Sequence, residues 1–286
     1  MSLKSELLQA ARRAQGLRPD AAARALAFLR RQAHPEGGWC DRAGQADLYY
    51  TVFALMGLAA LETKIPAGPV ARYLAGFGDG RSLNLVHLAC LARCASLARP
   101  EGPPERARRA MVSHLETYRS SDGGYGPVPG APQGAAYAVY LALGAAEDLD
   151  ASVPEPEGLA RCLRSLRTDD GSWGPTPATA GAAETLRDLG QAVEASTVEW
   201  LLARQAPEGG FGAFPDAPGP DLLSTATALH GLAAAGTRLE GAARDACRRF
   251  ILSLRAPDGG FRGHPADDRA DCEYTFYGLL ALGHLE

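Results

Sequence analysis

The sequence predicts an all-α fold, an α/α toroid (α6–α6 barrel) of about six helical hairpins forming one domain over residues 1–286. Three observations predict it. A glycine-aromatic turn string recurs along the chain, an amphipathic helical run precedes each copy, and a run apolar on nearly every side follows it.

Residues 1–16, MSLKSELLQAARRAQG, form an amphipathic, charged N-terminal helix ahead of the repeats. The repeats are marked by HPEGGWC, SSDGGYGPVPG, TDDGSWGPTP, APEGGFGAFP and APDGGFRGHP, each with an acidic residue, glycine or serine, and then an aromatic. The aromatics are Trp39, Tyr125, Trp173, Phe211 and Phe261, and the first gap is about twice each of the others. A degenerate sixth copy is therefore expected around Asp79 and Gly80, in GFGDGRSLNLVHLACLARC. The turn glycines supply positive φ, and the aromatics plug the gaps between hairpins.

Runs such as AAARALAFLRRQ, ASTVEWLLARQ and GAARDACRRFILSLR carry arginine on one face and are expected as outer helices. DLYYTVFALMGLAAL, GAAYAVYLALGAA, DLLSTATALHGLAAAG and DCEYTFYGLLALG are expected as inner helices. One unit of roughly 45 residues cannot bury its inner helix alone, so neighbours must stack. The last inner helix, near 271–283, is as apolar as the middle ones. An open solenoid would expose it, whereas closure into a ring covers both ends. Almost no sheet is expected.

The 29 Lys and Arg against 33 Asp and Glu give a net charge of −4 with dispersed basic residues, which argues against nucleic acid as a partner. No run reaches the apolar length of a membrane span, and the N-terminus lacks a secretory apolar core, so a cytoplasmic protein is expected. Cys40, Cys90, Cys94, Cys162, Cys247 and Cys272 form no CxxC pair and are expected as free thiols. His87, His114 and His230 sit in helices among apolar neighbours and are expected as satisfied histidines.

The turn strings resemble the QW-type repeats of squalene-hopene and related terpene cyclases, and still more the PEGGF-type repeats of protein prenyltransferase β subunits. That resemblance spans essentially the whole chain and implies a deep apolar funnel holding an isoprenoid, with working groups at the starts of inner helices. It also implies a helical-repeat α-subunit-like protein as partner; a homodimer through an outer face is the other expectation. The family's zinc motif DxCYS(F/W)W can be laid on Asp221–Thr225, where Leu223 replaces the thiolate, with Tyr274 then replacing the histidine of the next repeat. It can equally be laid on Asp271–Tyr277, where Glu273 replaces the thiolate and Cys272 is displaced by one position. Ring closure then sets DLYYTVFALMGL beside it, with Tyr50 in place of histidine. The second register leaves an oxygen-rich place for zinc at Asp271 and Glu273, without the imidazole zinc prefers. No other cofactor is implied.

The family's diphosphate-binding cations are also replaced, and Arg262 and Arg269 are the nearby cations that could compensate. The resemblance thus points to Asp271, Cys272, Glu273 and Tyr274 as the working end, with Asp47, Tyr50 and Asp221 across from them. Tyr49, Tyr50, Tyr137, Tyr140, Phe276 and Tyr277 are expected as an aromatic lining suited to an isoprenoid chain or a carbocation. Prenyl transfer, terpene-cyclase-like chemistry and a non-catalytic scaffold all stay open, although no DxDD acid motif occurs. N-capping competes as the role of Asp47 and Asp221.

Overall fold

A computed structural model describes residues 2–17, 19–99, 101–153 and 155–286, so Met1 of the expected N-terminal helix lies outside the described residues. Helix α1 (Leu3–Leu17) precedes the repeats. Outer helices α2 (Pro19–Arg31), α4 (Ala67–Ala75), α6 (Glu105–Glu116), α8 (Pro156–Leu166), α10 (Ala195–Leu202) and α12 (Gly241–Ser253) alternate with inner ones. The inner helices are α3 (Leu48–Ala60), α5 (Leu85–Ala98), α7 (Ala136–Asp148), α9 (Thr176–Asp188), α11 (Leu222–Ala234) and α13 (Cys272–His284). Each inner helix packs on the next and α13 returns to α3, so the fold is a closed α/α toroid of six hairpins. The degenerate copy is the α4–α5 hairpin. Sheet is confined to two two-residue strands, β1 (Trp39–Cys40) and β2 (Ala46–Asp47), among the described residues. No described helix is long and apolar enough to cross a membrane.

The turns repeat one hydrogen-bond device. In four copies a threonine in the first turns of the inner helix accepts from the backbone N–H of the turn aromatic: Thr51 from Trp39, Thr179 from Trp173, Thr225 from Phe211 and Thr275 from Phe261. Thr51, Thr225 and Thr275 also donate to the carbonyls of Asp47, Asp221 and Asp271. All five aromatics are buried. In the Tyr125 copy the equivalent position is Val139, and Tyr125 is held instead by its hydroxyl donating to Glu116 at 2.8 Å. Gly209 shows why glycine is needed: its φ is +102°, and a Cβ there would stand 2.3 Å from the backbone of Ala246 on the next outer helix.

A buried N–H stripped of its acceptor keeps its desolvation cost. Thr225→Val should therefore lower stability by about 1.5 kcal/mol, measured by denaturant unfolding, and an unchanged midpoint would count against this role.

Helix α1 lies across the end of the ring where the inner helices finish. Its Leu3 N–H donates to Glu147 at 2.9 Å, Lys4 pairs with Asp148 at 2.9 Å and Glu6 pairs with Arg187. Arg13 donates to the carbonyl of Gly283 at 2.9 Å, and Gln15 to that of Ala60 at 3.2 Å. These partners sit in the last turns of α7, α9, α13 and α3, so one amphipathic helix closes the floor of the toroid.

Candidate functional site

The inner helices share one register. Their second, sixth and ninth residues are spaced by four and three, which places them on one helical face. Near the mouth the second residues are Tyr49, Val86, Tyr137, Pro177, Leu223 and Glu273. At the waist the sixth residues are Phe53, Cys90, Leu141, Gly181, Thr227 and Tyr277, and at the floor the ninth are Met56, Arg93, Gly144, Glu184, His230 and Leu280. All of these except Glu273 line one cavity of about 400 Å³, whose base is finished by Leu3 and Leu7 of α1. Val52, Tyr140 and Phe276 add to a wall that is mostly aliphatic and aromatic. Its aromatic rings interlock, with Phe53 5.0 Å from Tyr49 and 5.3 Å from Tyr277 between centroids.

The floor carries the cavity's concentrated polarity. Arg93 is tied through Nε to buried Asp148, which also takes Lys4 at 2.9 Å and the Ser96 hydroxyl at 3.1 Å. Glu184 is 3% exposed and His230 5%. Their facing atoms, Glu184 Oε2 and His230 Nε2, stand 3.5 Å apart, and neither has a hydrogen-bond partner among the described residues. Burial pushes the Glu184 carboxyl up to about 8, opposed by Arg187 and Tyr140 and reinforced by Glu6 and Asp188. Burial, with Arg187 and Arg13, takes His230 down to about 3. Both are uncharged at neutral pH, so their approach is not an ion pair. Behind them, His230 Nδ1 and His284 Nε2 share a hydrogen bond of 2.8 Å.

The residues singled out from sequence separate into two groups. Tyr49, Tyr137, Tyr140, Phe276 and Tyr277 are in the cavity wall, with half-exposed Tyr137 at the mouth. Asp271, Cys272, Glu273 and Tyr274 lie outside that wall. Asp271 caps α13 by accepting from the Tyr274 N–H at 2.9 Å and takes the Arg42 Nε at 2.8 Å, while Arg42 also holds Asp267 at 2.6 Å. The Tyr274 ring lies under the Arg42 guanidinium. Glu273 accepts from the Tyr49 hydroxyl at 2.7 Å, and burial raises its carboxyl to about 7. Cys272 is fully buried, and burial holds its thiol well above the ordinary range.

Asp47 and Asp221 cap α3 and α11 by accepting from the N–H groups of Tyr50 and Ser224, and Tyr50 meets Tyr49 edge-on. Arg262 donates to the carbonyls of Asp267 and Ser253, and Arg269 to that of Arg42, all outside the cavity wall. These cations are engaged by the chain itself. Nor do the donors at Asp271 and Glu273 suit zinc: one carboxylate is held by a guanidinium, the other by a phenol, and the adjacent thiol stays protonated. No three His, Cys, Asp or Glu side chains converge on a metal-sized space among the described residues.

Sequence reasoning passed over Arg42, Arg93, Glu184 and His284, and gave His230 a merely structural role. The signal was present as the shared ninth position of the inner helices, visible once their starts are aligned.

The model of the prenyltransferase alpha-alpha toroid domain matches residues 20–91, 88–185 and 179–285. No curated protein sequence matches the chain. Among solved structures, a variant of the type II terpene cyclase MstE from Scytonema in complex with its product merosterolic acid A is similar at TM-score 0.67 and 18% identity, covering 99% of this chain and 98% of that one. Another MstE variant, in complex with its substrate geranylgeranyl dihydroxybenzoate, gives 0.66 and 19% over the same shares. Candida albicans protein geranylgeranyltransferase-I complexed with GGPP gives 0.67 and 13%, covering 90% of this chain and 89% of that one. At such identities the likeness is one of fold.

Proposed function

Because the chain belongs to the prenyltransferase alpha-alpha toroid domain family, we propose that its central cavity binds an isoprenoid chain or another apolar chain of similar size. The observation that carries this reading is the wall itself: about 400 Å³ enclosed by aromatic and aliphatic side chains at matched positions of six helices and floored by α1. A volume in the range of roughly 300–1,000 Å³ suits a small-molecule ligand. An apolar chain transferred from water into such a space gains about 0.8 kcal/mol per buried methylene. The solved toroids that hold a geranylgeranyl dihydroxybenzoate and GGPP support the same assignment.

The reading is of binding, with the attached chemistry set by the ligand's polar group. A diphosphate brought into an apolar site needs paired cations or a metal, and Arg42, Arg262 and Arg269 are already engaged. Isothermal titration with all-trans prenyl chains of increasing length, delivered from cyclodextrin, should show affinity rising with each isoprene unit until the cavity is full and level thereafter. The same chains with and without a diphosphate should bind within a few-fold of each other. Thr227→Trp, which places an indole at the waist, should abolish binding while the protein stays folded. Absence of binding by every chain would sink the reading and leave the toroid as a scaffold.

A further inference from the structure

We propose that the deep end of the cavity is a hydroxyl-binding subsite, in which Glu184 and His230 together hold a neutral hydroxyl carried on the buried end of an otherwise apolar ligand. The inference rests on the reading of the cavity as an isoprenoid-binding space and specifies what that ligand must carry. Its basis is a pair of buried polar atoms with nothing to bond to. Glu184 Oε2 and His230 Nε2 both belong to the floor layer, on neighbouring helices α9 and α11, and each side chain is more than nine-tenths buried. They stand 3.5 Å apart with no hydrogen-bond partner among the described residues. Buried polar groups in folded proteins are nearly always paired, so an unpaired donor and acceptor side by side on two residues of the cavity floor mark a place for a third group, reached by a small turn of either side chain.

The chemistry of that group follows from charge and proton count. Glu184 is a carboxylic acid at neutral pH and His230 a neutral imidazole, while the charge of Arg93 in the same layer is taken by Asp148. A carboxylate or phosphate would bring an uncompensated charge into an apolar space. A hydroxyl brings one donor and two acceptor sites. When His230 Nδ1 donates across its 2.8 Å contact to His284 Nε2, His230 Nε2 is left as an acceptor. The ligand hydroxyl then donates to His230 Nε2 and accepts from the Glu184 O–H, and His284 acts as a positioning residue that selects the tautomer.

The test compares an all-trans prenyl alcohol with the prenyl hydrocarbon of the same carbon number, titrated calorimetrically at pH 7. The wild-type protein should bind the alcohol about tenfold more tightly, the scale of one net hydrogen bond. Glu184→Leu and His230→Phe should each erase that preference, so that within each variant the alcohol and the hydrocarbon bind equally. In protein carrying nitrogen-15 histidine, the alcohol should shift the His230 ring resonances and the hydrocarbon should leave them in place; this measurement decides if the variants fail to fold. Equal affinities with unmoved resonances, or a preference that survives in Glu184→Leu, would overturn the subsite and spare the cavity reading. Failure of both ligands to bind would overturn the cavity reading and the subsite with it.

Discussion

Gly283→Ala is expected to destabilise the protein by about 3 kcal/mol, lowering the melting temperature by roughly 6 to 9 °C, and to weaken binding of any chain that reaches the floor. The reason is a single close approach. A Cβ on Gly283 would stand 1.8 Å from the carbonyl oxygen of Ala10 on α1, inside any permitted contact, and the obstacle is backbone that cannot rotate away. Helix α1 must therefore lift from α13. In doing so it strains the Arg13 contact with the Gly283 carbonyl and uncovers Leu7, Ala10, Ala11 and Ala14, all buried in the native fold. Alanine's better helix propensity returns only about 1 kcal/mol. Equal melting temperatures for Gly283→Ala and the wild type would show that α1 is not fixed against the ring in this way.

The toroid was legible because its signals are local and repeated. Five turn strings, the spacing that demands a copy at Gly80, and the contrast between arginine-faced and wholly apolar helices each follow from which groups water accepts. Ring closure followed from the last inner helix needing cover. The part played by α1 was not legible: its amphipathic pattern says that one face is buried, yet its partners are the last turns of helices whose closure only the whole ring defines. The residues singled out from sequence and the cavity's buried polarity lie at different levels of the barrel. Resemblance drew attention to Asp271, Cys272 and Glu273 at an inner-helix start, where Asp271 and Glu273 are drawn into a cap and contacts with Arg42 and Tyr49. Cavity-facing polarity sits eight residues further along, at Arg93, Glu184 and His230. Those three occur singly on the cavity-facing sides of their helices and resemble ordinary core exceptions until the six inner helices are placed in one register.

Stability should fall by about 2 to 3 kcal/mol between pH 6.5 and 8, and Glu184→Gln should remove more than half of that fall. Glu184 has an ordinary value of 4.5 unfolded and about 8 folded, and Glu273 moves from 4.5 to about 7. For an acid whose folded value is raised, the native state holds its proton more tightly. Its stabilising effect is complete below 4.5 and declines until the folded value is passed. His230 moves the other way, from 6.5 to about 3, and His284 is also held well below 6.5 by burial and by His230, Arg13 and Arg238. For these the native state resists protonation, so stability is complete above 6.5 and declines as pH falls. Between pH 4.5 and 6.5 the two pairs oppose each other and the profile is nearly flat. Above 6.5 the histidines no longer contribute, and the carboxyls alone set a downward slope; Glu147, half-exposed and raised to about 7, adds to it weakly because solvent screens it. Below 4.5 the histidines give a slope of the opposite sign, joined by the carboxyls that hydrogen bonds hold below their ordinary range at Asp170, Asp122 and Asp267. Guanidinium unfolding of the wild type and Glu184→Gln at pH 5.5 and pH 8 measures the difference directly. Parallel losses in the two proteins would show that Glu184 enters the folded state already ionised, whereas a flattened profile in Glu184→Gln places a neutral carboxylic acid at the floor of the cavity.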